Sequence, residues 1–202
     1  MSRESVYITD FVSLKNNQIK HQQKLLYKAD SFLELKSFLK ESYKVIGLNY
    51  PKFHKMDDLC KLGLLASEVI LKEKELKTDT AIVLSNASSS LQTDYKHQNS
   101  LQQHVSPAVF VYTLPNIILG EISIKYSLKS ENVFFIEETF NAKLLNDYAQ
   151  VLLQSGKASS VVCGWINLIN DEYDVFLCLI SRKGEIPLSV ENLEQLYLFE
   201  NE

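Results

Sequence analysis

The chain has 202 residues, of which 46% are hydrophobic and 23% are charged, and its formal net charge at pH 7 is −4. This length and composition suit one globular domain, so we expect a single domain over residues 1–202. The acidic balance argues against a dedicated nucleic-acid-binding protein, because such proteins concentrate basic side chains on one face. The lysine-rich stretches near residues 20–28, 36–44 and 72–77 alternate with acidic or apolar residues, which is typical of a solvated surface.

Cysteine usage and the longest apolar segments indicate the compartment. Cys60, Cys163 and Cys178 are widely spaced and odd in number, so they predict buried, reduced thiols rather than a disulfide framework or a metal set. The first residues, "MSRESVYITDF", contain no apolar stretch of signal-peptide length. Apolar runs such as "VVCGWINLI" reach about half of the roughly 20 residues that a membrane span needs. We therefore expect a cytoplasmic protein without a membrane span.

Hydrophobic periodicity predicts strands that alternate with helices along most of the chain. Strands are predicted at residues 6–14, 80–88, 132–138, 159–168 and 173–181, and residues 24–29 could form a further short strand. Helices are predicted at residues 31–43 with Ser31 as N-cap, from residue 56 onward, at 89–103, at 106–128 with a kink near Pro115, at 140–155 and at 189–199 with Ser189 as N-cap.

This order of elements predicts an α/β domain with a mostly parallel sheet of five strands. The last two strands are separated only by "INDEYD", which indicates an antiparallel hairpin, and we expect that hairpin at the edge of the sheet.

The histidines give no metal site by spacing. His97 and His104 lie seven residues apart on or near one polar helix, so they could share a face, and His21 and His54 stand alone. No carboxylate or cysteine completes a ligand set at a familiar spacing, so surface histidines are the favoured interpretation. We predict neither a metal nor a cofactor.

Other polar groups also lack a clear catalytic arrangement. Glu137 and Glu138 are adjacent strand residues that point to opposite faces, so they do not form a facing acid–base pair. No glycine-rich phosphate loop is present. The segment "SNASSS" (85–90) follows a predicted strand and could line a polar pocket, or Ser88 or Ser89 could simply cap the next helix.

Four segments, taken together and in this order, resemble the amino-terminal half of the β-ketoacyl-acyl carrier protein synthases. The third is the most specific, because its SP (106–107), PN (115–116), GEIS (120–123) and EN (131–132) fall where that family has its SP…PN…G-IS…GPN pattern. The resemblance covers nearly the whole chain. The segments are "YPKFHKMDDLCKLGLLASEVIL", "AIVLSNASSSLQTDYKHQ", "SPAVFVYTLPNIILGEISIKYSLKSEN" and "VFFIEETFNAKLLNDYAQVLLQSGKASSVVCGWINL".

The resemblance implies one layered α/β/α half of a thiolase-like fold, and it also implies that the chain does not condense acyl groups alone. The family's nucleophilic cysteine falls at Thr139, and a threonine hydroxyl has no anionic fraction comparable with that of a thiolate. The family's second half supplies two histidines, a lysine and a glycine-rich loop, and none of them maps onto this chain. The glycines usual near the first strand are replaced by "ITDFVSL".

The resemblance also points to an interaction surface. In the family, the strand before the nucleophile pairs antiparallel with its counterpart across a dimer axis. Here that strand carries Val133, Phe134, Phe135 and Ile136, although ordinary burial under helices would also explain these side chains. The region around 110–116 corresponds to one that shapes the partner's acyl pocket, so the acyl-pocket candidates are Phe110, Thr113 and Leu114.

Two hypotheses follow. The first is a non-catalytic accessory protein of fatty-acid, polyketide or aryl-polyene biosynthesis, which forms a homodimer or a heterodimer with a catalytic ketosynthase and which could dock an acyl carrier protein through a basic patch. The second is half of a split acyl-transferring enzyme, completed by a separate carboxyl-terminal subunit. A hydrolase or acyltransferase that uses Thr139 by itself is the weakest alternative, because no activating base is recognisable.

Overall fold

Eight strands form one mixed sheet in the computed structural model, which describes residues 5–101 and 106–199. The order across the sheet is β3-β2-β1-β7-β6-β4-β5, and the short β8 pairs with β1. The strands are β1 (Tyr7–Lys15), β2 (Gln18–His21), β3 (Lys24–Lys28), β4 (Ala81–Asn86), β5 (Asn132–Ile136), β6 (Ser160–Ile169), β7 (Glu172–Ser181) and β8 (Ile186–Pro187).

Five neighbouring strands, in the order β1-β7-β6-β4-β5, make up most of the sheet, and four of the five run in the same direction. β4 is parallel to both β5 and β6, whereas β7 is antiparallel to β6 on one side and to β1 on the other. The predicted α/β class is therefore confirmed. The predicted number of five strands was wrong, because the described sheet has eight, with β2, β3 and β8 added by antiparallel pairing.

The predicted position of the hairpin was wrong. β6 and β7 do form an antiparallel hairpin, but β7 lies inside the sheet, because β1 pairs with it from Tyr7 opposite Ser181 to Lys15 opposite Asp174. The hairpin at the edge is β2–β3, which extends the sheet beyond β1. Two hairpin turns hold polar residues at positive φ. The turn between β1 and β2 contains Asn16 and Asn17, and the turn between β6 and β7 contains Asn170 and Asp171.

Helices cover both faces of the sheet, because the side chains of β4 alternate between two apolar cores, one on each face. Ile82 and Leu84 belong to one apolar core, while Ala81 and Val83 belong to a second core on the opposite face. A strand buried on both faces is a continuous apolar run, as "AIVL" is. The helices are α1 (Leu35–Ile46), α2 (Asp58–Leu71), α3 (Leu91–Ser100), α4 (Pro107–Val111), α5 (Ile117–Tyr126), α6 (Ala142–Gln154) and α7 (Val190–Phe199), with a 3-10 turn at Pro51–Lys55.

Several predicted helix boundaries are confirmed, and one is wrong. Ser189 does cap α7, since its Oγ accepts from the Asn192 amide at 3.1 Å. Pro115 does lie at a break, between α4 and α5. The first helix, however, begins four residues later than predicted, with Glu34 rather than Ser31 at the N-cap position.

The helix α2 packs centrally and is joined to α5 through buried charges. Glu68 of α2 is 4% exposed and pairs with Lys125 at 3.1 Å, while the Tyr126 hydroxyl donates to the same carboxylate at 2.5 Å. On the same helix as Lys125, Glu121 pairs with Lys52 of the 3-10 turn at 2.6 Å. Because buried carboxylates need partners, these contacts fix where α5 lies on the sheet.

The predicted buried, reduced cysteines are confirmed. Cys163 of β6 and Cys178 of β7 are opposite each other, with 3.4 Å between their Sγ atoms, and Cys60 lies in α2. Burial, followed by the charge of Asp57, raises the pKa of the Cys60 thiol well above its ordinary value. Such thiols are poor nucleophiles.

Within residues 5–101 and 106–199, no helix has both the length and the apolar character needed to cross a membrane. In the same part of the chain, no group of three or more histidine, cysteine, aspartate or glutamate side chains could hold a metal ion.

Candidate functional site

The strand β5 is one edge of the sheet. It pairs with β4 through parallel bridges from Ile82 opposite Asn132 to Asn86 opposite Ile136, and no other described strand pairs with it. Its outer backbone groups are therefore left without a strand partner within the described residues. Such an edge is a template for pairing with another chain.

The four predicted interface residues alternate between the two faces of this edge strand. Phe134 packs against the core beneath α2 and α5, whereas Val133 and Phe135 pack against the core beneath α6. Ile136 is 53% exposed. The strand β5 is therefore partly buried under helices and also has an open edge. Its role in association stays a prediction.

The face of β5 that lies against α6 begins with a carboxylate. The Tyr148 hydroxyl of α6 donates to Glu131 Oε1, and Lys157 Nζ lies 3.7 Å from Glu131 Oε2. The hydrogen bond to Glu131, followed by burial, raises the pKa of Tyr148. The Tyr148 ring also meets Phe135 edge to face, with 5.4 Å between ring centroids. Tyr148 therefore holds this face of the edge strand against α6.

The turn after β5 carries Thr139, the residue at the predicted nucleophile position. Thr139 lies in an exposed bend, and α6 begins three residues later at Ala142. The next side chain, Phe140, stacks on Tyr197 of α7 with 4.1 Å between ring centroids and meets Phe176 edge to face. Aromatic rings from α7 and β7 thus fill the space beside the turn, and Thr139 itself faces the surface.

The acyl-pocket candidates lie on the surface of the segment 110–114. Phe110 is 61% exposed and Leu114 is 58% exposed, and the Thr113 hydroxyl donates to the Phe110 carbonyl at 2.8 Å. The Ser90 hydroxyl donates to the Thr113 carbonyl at 2.6 Å, so the segment lies near the carboxyl end of β4. Since the last residue of β5 pairs there too, the segment and the β5 edge share one end of the sheet. A role in an acyl pocket stays a prediction.

Two asparagine side chains, Asn86 and Asn167, hold the loop "SNASSS" in place. Asn86 closes the loop through both of its side-chain atoms, which bond the Ser89 amide and the Ser89 carbonyl at 2.9 and 2.8 Å. Asn167 of β6 accepts from the amides of Ala87 and Ser88 at 3.2 and 3.1 Å. These amides are therefore engaged by the protein itself. The part played by Asn167 was not predicted, because the pairing of β6 with β4 is not readable from local sequence.

His21 and His97 differ from the simple surface interpretation, whereas His54 is exposed as expected. His97 is half-buried, its ring packs on Phe110 at 5.4 Å, and its Nδ1 has no hydrogen-bond partner in the described part of the chain. His104 lies outside the described residues. His21 bonds the buried Asp10 at 2.5 Å, and Lys74 bonds the other oxygen of that carboxylate at 2.8 Å. This cluster was also missed, since its members are far apart in sequence.

No protein-family model matches the chain, and no curated protein matches it. Several solved structures do. The ishigamide ketosynthase/chain length factor aligns with a TM-score of 0.65 and 18% identity over 91% of this chain. A ketosynthase in complex with its chain length factor, from Xenorhabdus doucetiae, aligns with a TM-score of 0.60 and 16% identity over 98% of this chain.

The chain has the thiolase-like fold of ketosynthases and chain length factors. One chain from the structure of a type II PKS acyl-carrier protein in complex with its ketosynthase also aligns, with a TM-score of 0.58 and 14% identity over 89% of this chain. The chain spans 64% of the first of these neighbours and 63% of the third, but 92% of the matched chain from Xenorhabdus doucetiae. At these identities the likeness establishes the ketosynthase fold alone.

Proposed function

We propose that this chain is a non-catalytic ketosynthase-like accessory protein. It acts by pairing through the β5 edge, either with itself or with a catalytic ketosynthase, in fatty-acid, polyketide or aryl-polyene biosynthesis. The observation that carries the proposal is the apolar β5 strand at the open edge of a ketosynthase fold. Two of the structures with this fold are named as a ketosynthase with its chain length factor.

The β5 edge suits pairing because it combines unpaired backbone groups with apolar side chains. Ile136 is the most exposed of the four, and Phe134 and Phe135 are only partly buried. Covering the strand would satisfy its outer backbone groups and remove apolar area from water at roughly 25 cal/mol per Å².

The segment 110–114 presents further apolar residues at the same end of the sheet as the end of β5. Phe110, Val111 and Leu114 are all exposed apolar residues. A cluster of exposed apolar residues of this kind favours a protein contact over free solvent. In an assembled pair, Phe110, Thr113 and Leu114 would complete the partner's acyl pocket without contributing any catalytic group.

A catalytic role for Thr139 is not favoured. Its hydroxyl lies in an exposed bend, and the carboxylate of Glu137 nearby accepts a hydrogen bond from Asn141 at 2.8 Å. A threonine nucleophile needs a base that takes its proton. Acyl carrier protein would be recognised by the assembled pair through a basic surface rather than by this residue.

The experiment is the mass of the protein in solution, alone and mixed with ketosynthases encoded near its gene. We expect a stable dimer or a complex with a ketosynthase. Ile136→Asp should abolish it, because a charge would be buried at the paired edge. Val151→Asp is the matched control, since Val151 is 61% exposed on α6, outside β5.

A strict monomer that binds no ketosynthase would contradict the proposal, as would equal effects of the two variants. Condensation of acyl and malonyl groups should require the ketosynthase, and Thr139→Ala should not lower its rate. If that variant abolished condensation by a mixture of this chain and a separate histidine-bearing chain, the split-enzyme hypothesis would replace the proposal.

A further inference from the structure

The residues on either side of β5 determine which partner the edge accepts. Two identical strands related by a two-fold axis pair antiparallel, so each residue faces one fixed residue of the other copy. The register that pairs all five residues of β5 places Phe134 opposite itself. In that register Asn132 faces Ile136, and the next pair outward is Glu131 facing Glu137.

These two carboxylates lie on the same face of the strand. Glu131 bonds Tyr148 of α6, and Glu137 bonds Asn141 at the start of α6, with 2.8 Å from its Oε2 to the amide nitrogen. Residues directly opposite in an antiparallel pair have Cβ atoms about 4.5–5.5 Å apart on one face. By symmetry, self-pairing would create the Glu131–Glu137 contact twice.

Among the described residues of this segment, no lysine falls directly opposite Glu131 or Glu137 in the same register, although Lys157 offsets part of the charge of Glu131. Lys157 Nζ is 3.7 Å from Glu131 of the same copy. Lys129 falls opposite Thr139 rather than opposite a carboxylate, and Ser130 falls opposite Glu138. Like charges that face each other across strands are destabilising.

We propose that the β5 edge disfavours a second copy of this chain and selects a different protein, one whose counterpart strand carries cationic side chains opposite Glu131 and Glu137. This inference rests on the proposed function and narrows its choice of partner. The apolar residues Val133–Ile136 supply the attraction for any strand, and the two carboxylates discriminate between strands.

Glu137→Lys tests the proposal, because it converts both repulsive contacts of the self-pair into attractive ones. We expect this variant to form a homodimer at least about tenfold more tightly than the wild type in sedimentation velocity. Glu138→Lys is the matched control, with the same charge change one residue away, on the opposite face of the strand and facing Ser130. Glu137→Gln should lie between the wild type and Glu137→Lys.

The same variants should affect the complex with a ketosynthase in the opposite direction. Glu137→Lys should weaken that complex about tenfold, and Glu138→Lys should weaken it less. Adding Ile136→Asp to Glu137→Lys should dissolve the homodimer, which would locate it at β5. Circular dichroism verifies that each variant is folded.

The proposal is wrong if Glu137→Lys and Glu138→Lys behave alike. It is also wrong if the wild type forms a tight homodimer that Ile136→Asp dissolves, a result that would leave the proposed pairing function standing. By contrast, a ketosynthase complex that is indifferent to Ile136→Asp would remove the proposed function itself.

Discussion

Asn141 joins the end of β5 to the start of α6 through its bond to Glu137. Its Nδ2 donates to Glu137 Oε2 at 2.8 Å, while its Oδ1 accepts from the Leu144 amide at 2.9 Å. One side chain thus caps the helix and restrains the carboxylate that we propose to discriminate between partners.

Asn141→Ala should lower the free energy of unfolding by about 1 kcal/mol, because it removes the cap of α6. Urea unfolding measures the change. Asn141→Ser retains an acceptor for the Leu144 amide and should recover most of the loss. Equal destabilisation by the two variants would show that the cap does not carry the effect.

Gly63 lies where α2 packs tightly against Ile166 of β6 and Ile118 of α5. A Cβ atom there would lie 2.7 Å from Ile166 Cδ1 and 2.8 Å from Ile118 Cγ1. Gly63→Ala should therefore destabilise the protein by about 1–3 kcal/mol despite the better helix propensity of alanine.

Gly120 of α5 is the matched control for that substitution. A Cβ atom at Gly120 meets nothing within 4 Å. Gly120→Ala should stabilise the protein by about 0.5–1 kcal/mol, since only the backbone preference changes. Thermal unfolding of both variants compares them, and a shift of the same sign in both would contradict the close packing at Gly63.

The pair between Lys125 and Glu68 should matter more than a surface ion pair. Lys125→Met leaves the buried Glu68 carboxylate with only the Tyr126 hydroxyl among the contacts described above, so we expect a loss of about 3 kcal/mol. Adding Glu68→Gln should restore part of the loss, because the uncompensated charge is removed. Lys143→Met, which breaks the exposed pair with Asp147, should leave stability nearly unchanged. Additive effects of the first two substitutions in a double-mutant cycle would contradict this prediction.

Stability should fall at alkaline pH. Burial, followed by the hydrogen bond to Glu68, raises the pKa of Tyr126 above its ordinary value, and burial raises the pKa of Tyr112 to about 12. Above about pH 10 the unfolded chain loses these protons while the folded chain keeps them, so the free energy of unfolding decreases as pH rises. The stabilisation is complete below pH 10.

Tyr126→Phe tests this pH dependence. Above about pH 10 its unfolding free energy should fall less steeply with pH, because unfolding of the variant releases about one proton fewer than unfolding of the wild type. The variant also loses the bond to Glu68 at every pH. The exposed Tyr95→Phe is the control and should parallel the wild type. If Tyr126→Phe and the wild type have the same slope, the buried tyrosine does not contribute to the alkaline loss.

Local sequence predicted most elements because their apolar periodicities are strong. The strand β4 and the helix α2 are continuous or one-sided apolar patterns, and both appear where predicted. The strand β2, in contrast, lies in the polar stretch "NNQIKHQQ", and Ile19 is the only buried residue of the strand itself. Its pairing with β1 depends on the two-residue turn at Asn16 and Asn17 rather than on hydrophobicity.

Long-range contacts were the part that local sequence did not reveal. The position of β7 between β6 and β1 depends on residues more than 150 positions apart, and so does the bond between Asn17 and Tyr173. The four interface residues were predicted because the resemblance singled out β5, and their role in an interface stays a prediction. The proposed discrimination by Glu131 and Glu137 depends on the edge position of that strand, which local sequence does not reveal.

The position of β7 has a consequence for the order of folding. Apart from its local hairpin with β2, the strand β1 pairs only with β7 and β8 among the described strands, and both lie more than 150 residues later in the chain. The strand β1 can therefore complete its pairing only after β7 and β8 have been made. The loop-closure entropy of joining these distant segments opposes this step of folding. We expect the slow phase of refolding to be the docking of β1 onto β7, after the parallel strands β4, β5 and β6 have already assembled with their helices.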